Sequence, residues 1–261
     1  MRKTWNRILA LLLTCVLTFA MAGPALAADT TPQAAEAAQA AVLTQTTDAA
    51  SPTLFDLSDS GYLKLNKPKN KAVYYKGETI PISITIADMD DEMLFCTAMA
   101  IVNEKTEDTV WIDYTFGDGL TYKTKANTKK FPAGTYVLGA GITDVPFDED
   151  EESMLDIDDT MVYAEFTLKT LKAPTSLKTT AGKRKVTITY KKATGATKYE
   201  IYRSTQKSKG YKKIATTTKT KYVDSKVKKG KKYYYKVRTV RTGNGTAYSA
   251  YTGVKGTGKV K

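Results

Sequence analysis

The stretch YVDSKVKKGKKYYYKVRTV, Tyr222–Val240, decides how the second half of this chain folds. Tyr233, Tyr235, Val237 and Thr239 share one parity along it, and Lys232, Tyr234, Lys236 and Arg238 the other. A period of two belongs to an extended strand whose side chains point alternately to either side of a sheet. With the first set turned inward, the second forms a basic outer surface, and the glycine of KKGK supplies the turn that leads in.

Working outward, VTITY (186–190), KYEIYRS (198–204), YKKIA (211–215), KYVD (221–224) and AYSAY (247–251) read as further short strands. ATGAT, KSKG, KKGK and TGNGT separate them with glycine and small polar residues. Short strands at this spacing predict an all-β antiparallel sandwich. Tyr202 takes the outward parity when Tyr199 and Ile201 point in, so the outer surface carries Tyr202 and Tyr234 among its cations.

Over about residues 173–255 the chain resembles the fibronectin type III domain in its bacterial extracellular form. The resemblance rests on APTSLK for the first strand, GATKYEIYRST for the third, YVDSKVKKGKKYYYKVRTV for the approach to and run of the sixth, and AYSAY last. It implies that Tyr233 is the tyrosine corner, its hydroxyl bonding back to the preceding backbone. Tyr190 stands where many members carry a core tryptophan, and no Arg-Gly-Asp tripeptide is present.

The first half also reads as strands: YLKL (62–65), TIPISITI (79–86), LFCTAMAIVN (94–103), VWIDYTF (110–116), LTYKT (120–124), TYVLGAGIT (135–143) and MVYAEFTLKTL (161–171). Ile80, Ile82, Ile84 and Ile86 give the strictest alternation in the chain. Seven strands and no helix predict a second, immunoglobulin-like sandwich, with Tyr136 after PAG as its own corner candidate. Cys96 in an apolar strand reads as a small buried residue, and Trp111 as a sheet-packing ring rather than a sugar platform.

Charge divides the chain at the same place. Residues 51–170 hold 11 Lys and Arg against 22 Asp and Glu, whereas residues 171–261 hold 26 against 2, so the net charges are −11 and +24. The step falls at TLKAPTSLK, 170–178, where Pro174 suits a joint between modules. The expected domains are an acidic sandwich over 53–171, a basic fibronectin type III domain over 172–256 and a short polar tail over 257–261.

At the other end, Arg2, Lys3 and Arg7 precede an apolar run and then Ala25-Leu26-Ala27, the pattern of a secretory signal over 1–27. A flexible Ala/Thr-rich leader over 28–52 follows. After cleavage one cysteine remains and no later segment is apolar enough to span a bilayer, so the expected product is secreted, extracellular or loosely held at the envelope.

The chain has no histidine. That removes Ser-His-Asp and Cys-His nucleophiles and histidine-containing zinc sites, and one cysteine cannot build a thiolate cage. Two ligand readings follow. A polyanion, such as an anionic wall polymer, would meet Tyr202, Lys232, Tyr234, Lys236 and Arg238. Nucleic acid is disfavoured by the secretion pattern.

The loops expected at one end of the first sandwich hold Asp88, Asp90, Asp91, Asp118, Asp148, Asp156 and Asp158, a candidate calcium set of the kind that extracellular modules bind at about 10⁻⁴–10⁻³ M. The expected function is non-catalytic binding, to a wall polymer or a surface protein, with no cofactor other than calcium. A carbohydrate-binding accessory role and a carboxylate-dependent hydrolase are the alternatives.

Overall fold

The computed structural model describes residues 60–89, 94–145 and 161–261. They form two compact units, the first from residues up to Tyr74, Ile80–Ala126 and Phe131–Leu168, the second from Tyr75–Thr79, Asn127–Lys130 and Lys169–Lys261. Every regular element among the described residues is a strand.

The first unit is built on β1 (Leu63–Lys67), β2 (Ala72–Tyr75), β3 (Thr79–Ile86), β4 (Leu94–Asn103), β5 (Thr109–Phe116), β6 (Thr121–Asn127), β7 (Gly134–Val145) and β8 (Met161–Lys169). One sheet runs β1-β3-β6 and the other β2-β8-β7-β4-β5. The four isoleucines of β3 are at most 1% exposed while the residues between them are half-buried, as their period of two demands. Burying each contributes about 1.5–3 kcal/mol of transfer free energy. Pro81 is tolerated in β3 because β1 pairs only with Ser83–Ile86, leaving the proline without a neighbour on that side.

Against this stripe, Tyr136 and Phe166 stack with ring centroids 5.5 Å apart, and Tyr74 meets Phe166 edge-on at 5.8 Å. Residues 95–103 of β4 are buried at both parities, which explains why that strand reads as one continuous apolar run. Cys96 is buried, and Trp111 packs partly buried against the main core. Its described residues form eight strands where seven are expected. The extra one, β2, is AVYY set between lysine-rich segments, too short and too densely flanked by charge to show a period; its edge bonds from Lys71 and Lys76 reach Glu165 and Lys169 of β8.

The second unit contains β9 (Thr175–Gly182), β10 (Lys185–Lys191), β11 (Lys198–Ser204), β12 (Lys212–Thr217), β13 (Lys221–Asp224), β14 (Tyr234–Gly243), β15 (Gly245–Tyr251) and β16 (Lys255–Gly256). Its sheets run β9-β10-β13 and β12-β11-β14-β15, with β16 pairing β14. These are the first, second and fifth strands of a seven-stranded sandwich facing the third, fourth, sixth and seventh. The core holds Val186, Ile188, Tyr199, Ile201, Tyr235 and Val237.

Tyr190 fills the place expected of a tryptophan, its ring 4.9 Å from that of Tyr199 and its hydroxyl donating to the Lys219 carbonyl at 2.9 Å. Burial pushes the Tyr190 phenol well above its ordinary pKa, with the neighbouring Tyr199 adding to the effect. The last residues do not trail away as a polar tail: Val260 is 2% exposed within the core, and backbone bonds tie residues 260 and 261 to the β9–β10 turn and the β13–β14 loop.

Candidate functional site

The parity read from the sequence places β14 correctly. Tyr233, Tyr235, Val237 and Thr239 are buried, Lys232 is exposed, and Tyr234, Lys236 and Arg238 lie half-buried on the outer face. Tyr233 makes its corner as acceptor: the Lys228 N–H donates to its hydroxyl at 2.9 Å. The first unit carries the same device with the hydrogen bond reversed, the Tyr136 hydroxyl donating to the Pro132 carbonyl at 2.7 Å.

Pairing of β11 with β14 sets Glu200 opposite Arg238 and Tyr202 opposite Lys236. Glu200 is 6% exposed although it lies at an outward position. Its Oε2 accepts from Arg238 Nε at 2.7 Å and from the Tyr202 hydroxyl at 2.9 Å, and its Oε1 pairs with Lys213 Nζ at 2.9 Å. Burial by itself would raise this carboxyl, but the bonds from Lys213, Arg238 and Tyr202 outweigh it and hold the pKa down at about 2. Burial, with the Tyr251 and Glu200 contacts, drives the Tyr202 phenol upward.

The cations of this face are roofed by rings. Lys236 Nζ sits 3.8 Å from the Tyr251 ring centroid and 4.6 Å from that of Tyr211. The Arg238 guanidinium lies 4.1 Å from the Tyr248 centroid, and Tyr202 meets Tyr251 edge-on at 5.1 Å. Tyr248 is 48% and Tyr251 38% exposed, so both rings reach the surface of this face beside the half-exposed Lys213. Each cation–π contact at such a site contributes about 0.5–1 kcal/mol and fixes a ring that would otherwise swing freely. The structure therefore divides the sequence-derived set: Tyr202, Tyr234, Lys236 and Arg238 share the sheet face, whereas Lys232 belongs to the preceding loop.

Tyr211, Tyr248 and Tyr251 complete the face and were not singled out from the sequence. Their signal is faint, because β15 shifts register between its pairings with Arg238 and Val240, and simple alternation along AYSAY does not survive the shift.

A second buried carboxylate, Asp224, closes the other side of the sandwich. It accepts from Arg203 Nη1 at 2.8 Å, from the Tyr235 hydroxyl at 2.8 Å and from the Lys226 N–H at 3.0 Å. Burial and this carboxylate together push the Tyr235 phenol far above its usual range. Glu78, grouped with the same unit, pairs with Arg241 at 2.9 Å.

Of the acidic set in the first unit, Asp88 is exposed, and Asp118 accepts the Met89 N–H at 2.6 Å. Asp88 also lies against Gly119, where an added Cβ would stand 3.1 Å from its carboxylate oxygen, so these two loops do meet. Asp90, Asp91, Asp148, Asp156 and Asp158 lie outside the described residues. Among the described residues no three metal-ligating side chains come together, and no helix is long and apolar enough to cross a membrane.

No protein-family profile matches the chain. An amylopullulanase of Thermoanaerobacterium thermosulfurigenes is 32% identical over 147 residues, covering 54% of this chain but only 7% of that relative's length. Among solved structures, a Fn3-like protein from Clostridium thermocellum is 31% identical, with 35% of this chain and 95% of that one covered and a TM-score of 0.32. The fibronectin(III)-like modules of Clostridium thermocellum CbhA are 15% identical over 76% of this chain and 94% of theirs, with a TM-score of 0.31. By its strand order, its tyrosine corner and its sequence, the second sandwich is a fibronectin type III domain.

Proposed function

We propose that this chain is a non-catalytic, extracytoplasmic binding protein, and that its fibronectin type III domain holds polysaccharide on the tyrosine face of β11, β14 and β15. The observation that carries the reading is the pair of exposed rings, Tyr248 and Tyr251, set over Arg238 and Lys236. A phenol offers an apolar ring for the CH side of a pyranose and a hydroxyl for its OH groups, and a ring braced by a cation loses little entropy when a ligand arrives. The amylopullulanase relative supports a polysaccharide setting, and the basic–apolar–small order of residues 1–27 supports export. Against catalysis stands the handling of the domain's carboxylates: Glu200 and Asp224 are each buried and occupied by arginine, so neither is free for acid–base work.

The test is affinity electrophoresis of the purified protein in gels containing pullulan. Migration should be retarded, and the Tyr248→Ala/Tyr251→Ala double variant should lose most of the retardation while keeping its thermal midpoint. Unretarded wild-type protein across pullulan, amylopectin and cell-wall glycans would refute the reading.

A further inference from the structure

The second unit contains three side-chain carboxylates, Glu78, Glu200 and Asp224, and all three are buried, each against one arginine: Arg241, Arg238 and Arg203. The unit's fourth arginine, Arg184, is exposed at the tip of the β9–β10 hairpin, and no ion pair reaches it among the described residues. Its φ of 53° puts it in the left-handed region, where glycine or asparagine would be relaxed. Lys183 and Lys185, its exposed neighbours, complete a three-cation tip.

Hydrogen bonds gather two more basic segments around that tip. The Arg184 N–H donates to the Lys261 carbonyl at 2.8 Å, and the Lys261 N–H to the Gly182 carbonyl at 3.2 Å. The Gly230 N–H donates to the Val260 carbonyl at 2.8 Å, and the Val260 N–H to the Lys231 carbonyl at 3.0 Å. The hairpin tip, the C-terminal residues and the KKGKK loop (228–232) thus form one end of the sandwich. Val260 anchors it from inside, and the Tyr233 corner fixes the loop. The lysines of all three segments are exposed, and none of the unit's three side-chain carboxylates is left to neutralise them.

We infer that this cationic end is a docking surface for a linear phosphate-bearing polymer. No large hydrophobic residue is exposed on the tip, the loop or the final five residues, so the apolar anchor that a protein interface needs is missing. Lysine is a strongly hydrated point charge on a flexible stem, suited to tracking a flexible chain of phosphates. Each phosphate it neutralises releases condensed counterion. The surface is separate from the tyrosine face and does not rest on the polysaccharide reading.

The probe is linear polyphosphate, titrated into the purified protein between 50 and 200 mM salt. With about seven contacts, from the four loop lysines and the three tip cations, at roughly −0.7 each, the log–log salt slope should be near −5. Lys228→Gln/Lys229→Gln/Lys231→Gln/Lys232→Gln should flatten the slope by about 3 and weaken binding at least about tenfold at the low-salt end. Should that variant fold poorly, the tip variant Lys183→Gln/Arg184→Gln/Lys185→Gln provides the same reading, with a slope loss of about 2. Tyr248→Ala/Tyr251→Ala should bind polyphosphate as the wild type does, which keeps failure here distinct from failure of the tyrosine face. Unchanged affinity in both lysine variants, or a preference for a carboxylate polymer such as pectate over polyphosphate, would overturn the assignment.

Discussion

The two sandwiches share a plan and solve polar burial in opposite ways. Each opposes a sheet of its first, second and fifth main strands to a sheet of the rest, and each pins the start of a long strand with a buried tyrosine, Tyr136 or Tyr233. Residues 51–170 contain no arginine, and the first core is a stripe of isoleucines against stacked rings. The second has fewer large aliphatic residues, and its buried carboxylates Glu200 and Asp224 lie outside that core, each paired with a partly exposed arginine. A common backbone therefore does not impose a common placement of charged side chains. Where arginine neutralises the carboxylates inside, the remaining lysines are left to set the charge of the surface.

The sharpest way to break this contrast is Asp224→Ala. It strands Arg203 and the Tyr235 hydroxyl without their shared acceptor, and removing one member of a buried pair costs about 3–5 kcal/mol. Thermal unfolding followed by near-ultraviolet tyrosine signal should show the second sandwich melting far earlier. Trp111, the one tryptophan beyond residue 27, should report an unchanged first sandwich. A melt no lower than the wild type would show that the pair is not structural.

Acid gives the next effect. The Glu200 pKa falls from 4.5 to about 2 on folding, so its contribution is fully present above about pH 4.5 and is lost as pH falls through about 2. At about 1.4 kcal/mol per unit, discounted for a network at the sheet surface, this amounts to about 2–3 kcal/mol. Denaturant unfolding between pH 5 and pH 2 should therefore weaken the tyrosine-reported transition, and Glu200→Gln should flatten that slope. An identical slope in the variant would remove the network from the account.

The corners supply the smallest effect and the closest like-for-like comparison. Tyr136→Phe and Tyr233→Phe each delete one hydrogen bond without changing ring packing, and each should cost its own sandwich about 1 kcal/mol. A loss confined to one of the two would mean that the shared motif is not equally used.

Much of this was legible in advance. Ile80–Ile86 and Tyr233–Thr239 announced their inward faces because the strand period is two, and the charge step marked two differently built halves. AVYY was hidden by its short length and lysine-rich flanks. The burial of Glu200 was hidden for another reason: it lies at an outward parity and is enclosed only because Lys213, Arg238 and Tyr202 arrive from three strands. The exposed rings of Tyr248 and Tyr251 depend on a register shift that local alternation does not encode.

On the proposed reading, the outer face of the fibronectin type III domain meets its ligand with rings rather than with charge. Ring-selective tyrosine NMR of the intact chain, titrated with pullulan oligosaccharides at low and high salt, tests it most directly. Resonances of Tyr248, Tyr251 and Tyr202 should shift together and equally at both salt concentrations, while those of the buried Tyr199 and Tyr235 stay still. Shifts that vanish at about 1 M salt, where the screening length is about 3 Å, or that appear only outside this face, would contradict it.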